Sequence, residues 1–402
     1  MLDPDYLLRI SEGCETVAEQ LHDEIIKRIV RSVAIRIGRG DDYLLTPKDK
    51  WMIEALQEAG YLRQDIEKEI AKKTGVQLSE MQAAFNDAGV ETLKYDDAVY
   101  VGAGLSPKAL NQSPALLRIL QRGYTATYGE WINFTRTTAD AAQELFIREC
   151  DKAYNLVASG NISYTEAYKQ AINAIAKDGV TVTYPTGHKD SIETATLRCV
   201  RTGISQACAG VTTARMDEMD WDIVLTSAHL GARIGDGGDN FTNHSWWQGR
   251  FFSRSGSDKR FPPFSVCGEG DVQGICGANC RHSYGPGDGE HNPYEKFPIA
   301  ENEKAYLLSQ RQRLLERRIR KTKREVLTLR EAADAAAGEA KSTMELGYQQ
   351  KAALLQKQNG EYKSFCQQHD LKTRQERLTI AAWNRQQAAK ATAAAKKYNS
   401  KG

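Results

Sequence analysis

Apolar positions recur at three- and four-residue steps over most of this chain. Ile10, Cys14, Val17, Leu21 and Ile25 lie on one face of a helix that the spacing predicts from Asp3-Pro4 to about Arg36. Asp3 reads as its N-cap and Pro4 as its first-turn proline. The turn GRGDDYL ends it, and Thr46-Pro47 opens a second helix that stops near Gly60. Two short helices follow, one starting at the capping box Ser79 to Gln82, and residues 92–112 read as loop. Ser113-Pro114 starts a helical stretch to roughly Ala158, with a break allowed near Asn133, and a second capping box, Ser163 to Glu166, opens a helix that ends before Gly179. The alternation in VTVTY, 180–184, marks a strand. Helix returns from Asp190 to Met219, and DIVLTSA forms a second strand.

At about residue 233 the pattern changes. Residues 234–298 are rich in Gly, Pro, Asp and aromatics and show little helical periodicity, which predicts a small irregular domain or an elaborated loop. After Pro298 the helical pattern resumes. Leu308, Leu315, Ile319, Val326 and Leu329 follow heptad spacing with Thr322 in one core slot, as in a coiled-coil-like seam or a helical hairpin. Residues 331–357 favour helix by composition. Asn359-Gly360 is the clearest stop before a final helix, and the basic, Ala-rich tail is expected to fray. The fold expected is therefore mainly α with a small α+β centre. It divides into an N-terminal helical region (1–112), a central domain (113–298) and a basic helical arm (299–402).

Composition adds less. The 402 residues suffice for two or three domains. No apolar run approaches the ~18–20 residues that span a bilayer. MLDPDYLLRISEGCE is acidic and has no signal-peptide pattern, so synthesis in the cytosol is expected and, with it, reduced thiols at most of the eight cysteines. The formal charge of +2 hides the segment 311–324, with eight basic residues and one acidic. Arg317, Arg318, Arg320, Lys321, Lys323 and Arg324 are candidates for phosphate contact with DNA. The same charges also suit the solvated face of a coiled coil.

Candidate chemistry concentrates between Thr226 and Tyr284, which carries TSAHLGAR, HSWWQG and GICGANCRHSYG. The ordered run S-A-H-x-G-A-R, then His before W-Q-G, then G-x-N-C-R-H resembles the central signature of the phage minor capsid protein family, found in tailed phages and prophages. The upstream helix and strand SIETATLRCVRTGISQACAGVTTARMDEMDWDIVLTSAH, the downstream helix AYLLSQRQRLLERRIRKTKREVLTL, and the segments LDPDYLLRI and DAGVETLKYDDAVYVGAGL extend the resemblance over most of residues 1–380. The run IGDGGDNFTN is longer than the family pattern. The resemblance implies a low-copy structural protein of the phage head, associated with the portal vertex and acting in head assembly or in DNA packaging and ejection. Portal protein, major capsid protein and packaged DNA are then the expected partners, in a large oligomeric assembly of the virion head, with no membrane.

Within this block, His229, Arg233, His244, Trp247, Gln248, Gly249, Asn279 and Arg281 are read as a structural hydrogen-bonded network. An active site of nuclease or ADP-ribosyltransferase type is the alternative for the His/Arg cluster. No acidic residue lies in the motifs to pair with it, so no catalytic residue is assigned and no enzyme is expected. Cys267, Cys276, Cys280 and His282 offer ligands for tetrahedral zinc, with His244 or His229 able to replace Cys267. Reduced thiols and hydrogen-bonded histidines in a loop explain the same residues. The sequence favours that simpler reading, which leaves zinc a candidate rather than a requirement. Trp246, Trp247, Phe251, Phe252, Phe261 and Phe264 form either a local core or a docking surface, and the local core is preferred for most of them.

Overall fold

The computed structural model describes residues 1–37, 47–184 and 186–400. Its architecture is mainly α with a small α+β centre, as the periodicity predicts. In chain order the elements are α1 (Pro4–Arg9), α2 (Glu12–Ile37), α3 (Lys48–Gly102), α4 (Pro114–Ala158), α5 (Tyr164–Asp178), β1 (Thr181–Thr183), β2 (Lys189–Ser191) and α6 (Ile192–Glu218). Then follow β3 (Ile223–Thr226), α7 (His244–Trp247), β4 (Phe251–Ser253), β5 (Tyr284–Pro286), α8 (Ile299–Ala335), α9 (Gly338–Gln368), α10 (Gln375–Leu378) and α11 (Arg385–Asn399).

Contacts gather the chain into two units, each drawn from three separate stretches. The first is Met1–Glu15, Val76–Ile132 and Thr196–Gln310; the second is Thr16–Gly75, Asn133–Ala195 and Arg311–Gly402.

In the first unit, Asp3 caps α1 by accepting from the backbone N–H of Asp5 and Tyr6, at 2.8 and 3.1 Å. Leu2, Leu7, Met81, Phe85, Leu116, Trp131, Val200, Ile204 and Val211 bury one apolar cluster. Helices α4 and α6 approach there through small residues: a Cβ added at Gly203 would lie 1.9 Å from Thr127 Oγ1. A three-stranded antiparallel sheet, order β4-β3-β5, pairs Val224 with Phe252 and Thr226 with Tyr284. Val224, Trp247, Phe252, Phe264, Cys267, Ile275 and Tyr284 form a second cluster around it. Trp247, Phe252 and Phe264 of the aromatic group between 246 and 264 therefore serve a local core, with Trp246 half-buried against it, while Phe251 and Phe261 are half-buried and pack on each other.

In the second unit, Ser163 caps α5 by accepting from the Glu166 N–H, and Gly179 ends it at φ +61°. The β1–β2 hairpin follows. Helices α8 and α9 run antiparallel, since Gln312 donates to Tyr362 (3.3 Å), Lys351 pairs with Glu325 (2.6 Å) and Arg330 lies over the Tyr348 ring (5.7 Å). Leu315, Ile319, Thr322, Val326 and Leu329 are buried, as the heptad spacing predicts, and Leu308 is half-buried. The core also takes in Leu21, Ile25, Ile29, Val33, Trp51, Phe146, Ile172, Met344 and Tyr362.

Several boundaries differ from the sequence expectation. The first helix is two, α1 and α2, parted at Ile10 and Ser11. The expected short helices and the loop at 92–112 are largely one helix, α3, which runs through Gly60, Gly75 and the Ser79–Gln82 box. A Cβ at Gly60 or Gly75 meets nothing within 4 Å, so these glycines sit on an open face. There they cost about 1 kcal/mol of propensity each, which the burial of Trp51, Leu62, Ile66, Met81, Phe85 and Leu93 outweighs. Helix α4 continues through Asn133 and α9 through Asn359-Gly360 for the same reason. The tail is helical to Asn399: α11 is capped by Asn384 and buries Ala391, Ala394 and Ala395. Thr46 and the GRGDDYL turn lie outside the described residues.

Candidate functional site

The irregular segment of the first unit is organised by polar side chains that bind backbone. Asn302, at the start of α8 and fully buried, accepts from the N–H of Gly231 and of Ala232 (2.9 Å each) and donates to the Ala232 carbonyl (3.0 Å). The run 234–243 closes on itself: Asp236 accepts from Gly238 N and Asn240 Nδ2, and Asn243 donates to the Gly238 carbonyl. Asp236 is thus a turn former, as its Gly-rich setting predicts. The turn delivers α7, whose Trp247 indole donates to the Phe241 carbonyl (3.0 Å) and whose last carbonyl accepts from Thr226 Oγ1 (3.0 Å) on β3. Gly249 follows at φ +61°, where a Cβ would press on Ala228 at 3.1 Å.

Opposite α7 lies the loop 267–282. Arg233 Nη2 donates to the Ala278 carbonyl at 2.8 Å. Cys276 and Asn279 both take the left-handed conformation (φ +59°), uncommon for residues with a Cβ, and so reverse the chain twice within four residues. Ser227 and Ser283 then exchange bonds that carry the chain into β5.

These turns bring His244, Cys280 and His282 together, all buried, with ligand atoms mutually within 4.8 Å. His244 Nδ1 and His282 Nδ1 are 3.3 Å apart, and Cys280 Sγ is 3.7 Å from each. The outer nitrogens are held. His244 Nε2 lies 2.8 Å from the Gln273 carbonyl, and His282 Nε2 lies 3.1 Å from Gln248 Oε1. Gln248 Oε1 also accepts from the His229 N–H (3.0 Å). The His229 ring stacks on His282 at 4.5 Å and takes a contact from Arg281 Nη2 at Nδ1 (2.8 Å). Trp247 covers the trio, 4.6 Å from the His244 ring and 4.8 Å from that of His282.

Burial dominates the electrostatics. It pushes the His244 imidazole down to about 4, with a further push from the Arg233 charge, while the Gln273 carbonyl opposes the shift. It holds His282 well below the ordinary histidine range, with His229, His244 and Arg281 adding repulsion. Burial also raises the thiols of Cys267, Cys276 and Cys280, although the His282 N–H donates to the Cys280 sulfur at 3.3 Å and offsets part of it.

Of the four residues first grouped as ligands, the structure gathers Cys280 and His282 and brings in His244, the replacement considered. Cys267 packs in the sheet cluster, and Cys276 Sγ lies 3.7 Å from the His282 carbonyl, outside the trio. All eight cysteines are free and buried. Gln273 and Asn302 escaped the sequence reading. Gln273 acts through its backbone carbonyl, which no residue type advertises, and Asn302 sits in an ordinary helix-opening run, FPIAENEKAY.

The basic segment in the second unit divides. Arg317, Arg318 and Lys321 are exposed. Arg324 pairs with Glu193 (2.5 Å), Asp23 (3.7 Å) and Glu19 (3.9 Å), Arg320 pairs with Glu19 (3.8 Å), and Lys323 donates to the Leu378 carbonyl.

Among the described residues no helix is long and apolar enough to cross a membrane. Fold and site thus define a mainly helical protein whose polar loop cluster sits on a small sheet. The family model described as phage minor capsid protein 2 matches residues 2–367, and the chain belongs to that family. It is a minor structural component of the phage capsid, part of the virion and of its assembly with other virion components. No curated protein and no solved structure matches the chain significantly.

Proposed function

We propose that this protein is a low-copy structural component of the phage head that binds near the portal vertex. There it acts in head assembly or in DNA packaging and ejection, without catalysing a reaction of its own. The observation that carries this reading is a family match that spans nearly the whole chain, so that both units take part in it. The His/Arg cluster supports the non-catalytic half. The rings of His244 and His282 are 1 % exposed and their outer nitrogens are tied to Gln273 and Gln248, which favours a fixed network over proton transfer to a substrate.

Co-purification of the tagged protein with the portal protein of its phage, with the mass of the complex determined, tests the proposal. A complex of defined stoichiometry is expected. A chain that ignores portal and major capsid protein and stays monomeric refutes it. Loss of a chemical activity on alanine replacement of His229, His244 and His282, with assembly intact, refutes the non-catalytic part.

A second reading, contact with packaged DNA, is favoured by Arg317, Arg318 and Lys321. All three are exposed, within about a third of a turn of one another on α8 at 3.6 residues per turn. Three charges are enough for weak phosphate contact without sequence readout.

A further inference from the structure

We propose that His244 Nδ1, Cys280 Sγ and His282 Nδ1 bind one zinc ion, with a water on the fourth apex, and that this ion ties α7 to the loop before β5. The spacing of the three atoms fits such an ion. Zinc bonds of about 2.0–2.1 Å to nitrogen and 2.3 Å to sulfur, at tetrahedral angles, put two nitrogens about 3.4 Å apart and nitrogen about 3.6 Å from sulfur. The trio has 3.3 Å between nitrogens and 3.7 Å from each to the sulfur. Three separations fall on the edges of one tetrahedral face, although the residues come from positions 244, 280 and 282.

The tautomers of both rings point the same way. The Gln273 carbonyl only accepts, so His244 Nε2 carries the proton. Gln248 Oε1 is fixed as the oxygen end because the His229 N–H donates to it, so His282 Nε2 also carries its proton. Both Nδ1 atoms therefore present lone pairs, at each other and at the same point in space. A single thiol proton on Cys280 satisfies one of them at most. A cation between the three atoms satisfies all of them. An outer nitrogen bound to a carbonyl is also the arrangement that orients a ligating histidine.

The donor set narrows the choice to transition metals. Two imidazoles and a thiolate suit zinc and are unsuited to calcium or magnesium, which need oxygen. Binding breaks the Cys280 S–H bond, releases that proton to solvent, forms one Zn–S and two Zn–N bonds, and transfers no electron. Cys276, despite its spacing to Cys280, is not a ligand, because its sulfur lies outside the group formed by His244, Cys280 and His282.

The test measures metal in the full-length protein, purified from zinc-supplemented growth and passed through metal-free buffer with a weak chelator. Elemental analysis is expected to give about one zinc per chain, and background zinc in Cys280→Ser and His244→Ala. Cys276→Ser and Cys267→Ser are expected to keep it. Gln248→Leu, which keeps all three ligands but removes the support of His282 and the acceptor of the His229 N–H, is expected to weaken zinc binding by about 10- to 100-fold. If the ligand variants fail to fold, Co2+ added to metal-stripped wild type reads the same site, with a thiolate-to-cobalt charge-transfer band and strong visible bands of a four-coordinate ion. Folded wild type that retains no zinc and gives no cobalt band overturns the proposal. So does a charge-transfer band that disappears in Cys276→Ser and persists in Cys280→Ser.

Discussion

Arg324→Gln is expected to destabilise the second unit strongly at neutral pH and much less under mild acid. The guanidinium is the cation shared by Glu193, Asp23 and Glu19, with side-chain exposures of 18 % for Arg324 and 3, 12 and 9 % for the three carboxylates. His22 adds a contact to Glu193 at 3.0 Å. Burial drives the Glu193 carboxyl up, but His22 and Arg324 outweigh it and hold it well below the ordinary range. For Asp23 burial wins over Arg324 and His22, and the carboxyl is raised. Removing one member of a buried pair typically costs about 3–5 kcal/mol, because the remaining charge is left without compensation.

The sign with pH follows from linkage. A carboxyl held low in the folded state contributes stability above its unfolded value of ~4, and that contribution is lost as pH falls through the folded value. Without Arg324 both carboxyls are raised, and each opposes folding only where it must stay ionised. The difference between wild type and variant is therefore largest near neutrality and shrinks as pH approaches the ordinary carboxylate range. Urea unfolding followed by far-UV circular dichroism at several pH values measures it. Arg324→Gln combined with Glu193→Gln should recover part of the loss, since a neutral pair leaves less charge stranded. A loss below about 1 kcal/mol at neutral pH, or one that does not change with pH, refutes the reasoning.

The exposed basic residues should behave in the opposite way. Arg317, Arg318 and Lys321 changed together to Gln should leave unfolding within about 0.5 kcal/mol, while flattening the log–log salt dependence of duplex DNA binding by about 2.7, at ~0.9 per phosphate contact. An unchanged slope removes α8 from the DNA reading. Asn302→Ala strands the N–H groups of Gly231 and Ala232 and the Ala232 carbonyl. It should cost about 2–4 kcal/mol and alter the emission of Trp246 and Trp247 before the helical signal falls, whereas a silent variant shows that the clamp is dispensable. Gly203→Ala should cost about 1–3 kcal/mol by forcing a methyl onto Thr127 despite its better helix propensity. Adding Thr127→Ala should recover much of that loss in thermal unfolding, and a neutral Gly203→Ala refutes the close approach.

What the sequence disclosed was local. The caps at Asp3 and Ser163 and the Gly179 stop act through neighbouring backbone, and the buried stripe from Leu315 to Leu329 follows from 3.6-residue geometry alone. The Ser79–Gln82 box and Asn359-Gly360 carry equally good local signals, yet helix runs through both. There the flanking residues, such as Met81, Phe85, Leu355 and Tyr362, are buried on one continuous face, and breaking the helix would expose it. The two units could not be read from composition, since each is assembled from stretches far apart in the chain. Likewise, ligand-type spacing drew attention to Cys276, Cys280 and His282. Which of them converge depends on two left-handed turns and on the pairing of β3 with β5, which bring in His244 from 36 residues away.

The frame around the trio also bears on what a metal there would do. Asn302 fixes the loop at 231–232, Arg233 spans to the Ala278 carbonyl, Thr226 holds the end of α7, and Ser227 and Ser283 lock the approach to β5. None of these bonds uses a ligand atom of His244, Cys280 or His282. The ligands are thus placed by bonds that survive their replacement, and little chain entropy remains to be lost when an ion enters. A site of this kind differs from a small zinc fold, in which binding and folding are one event. Here the helices and the sheet cluster supply the fold, and the ion adds a local tie between α7 and the following loop. Loss of zinc on Cys280→Ser should then leave the helical signal near that of wild type and loosen only the segment around Trp247. A variant that loses the helices along with the metal would instead place the ion at the base of the whole first unit.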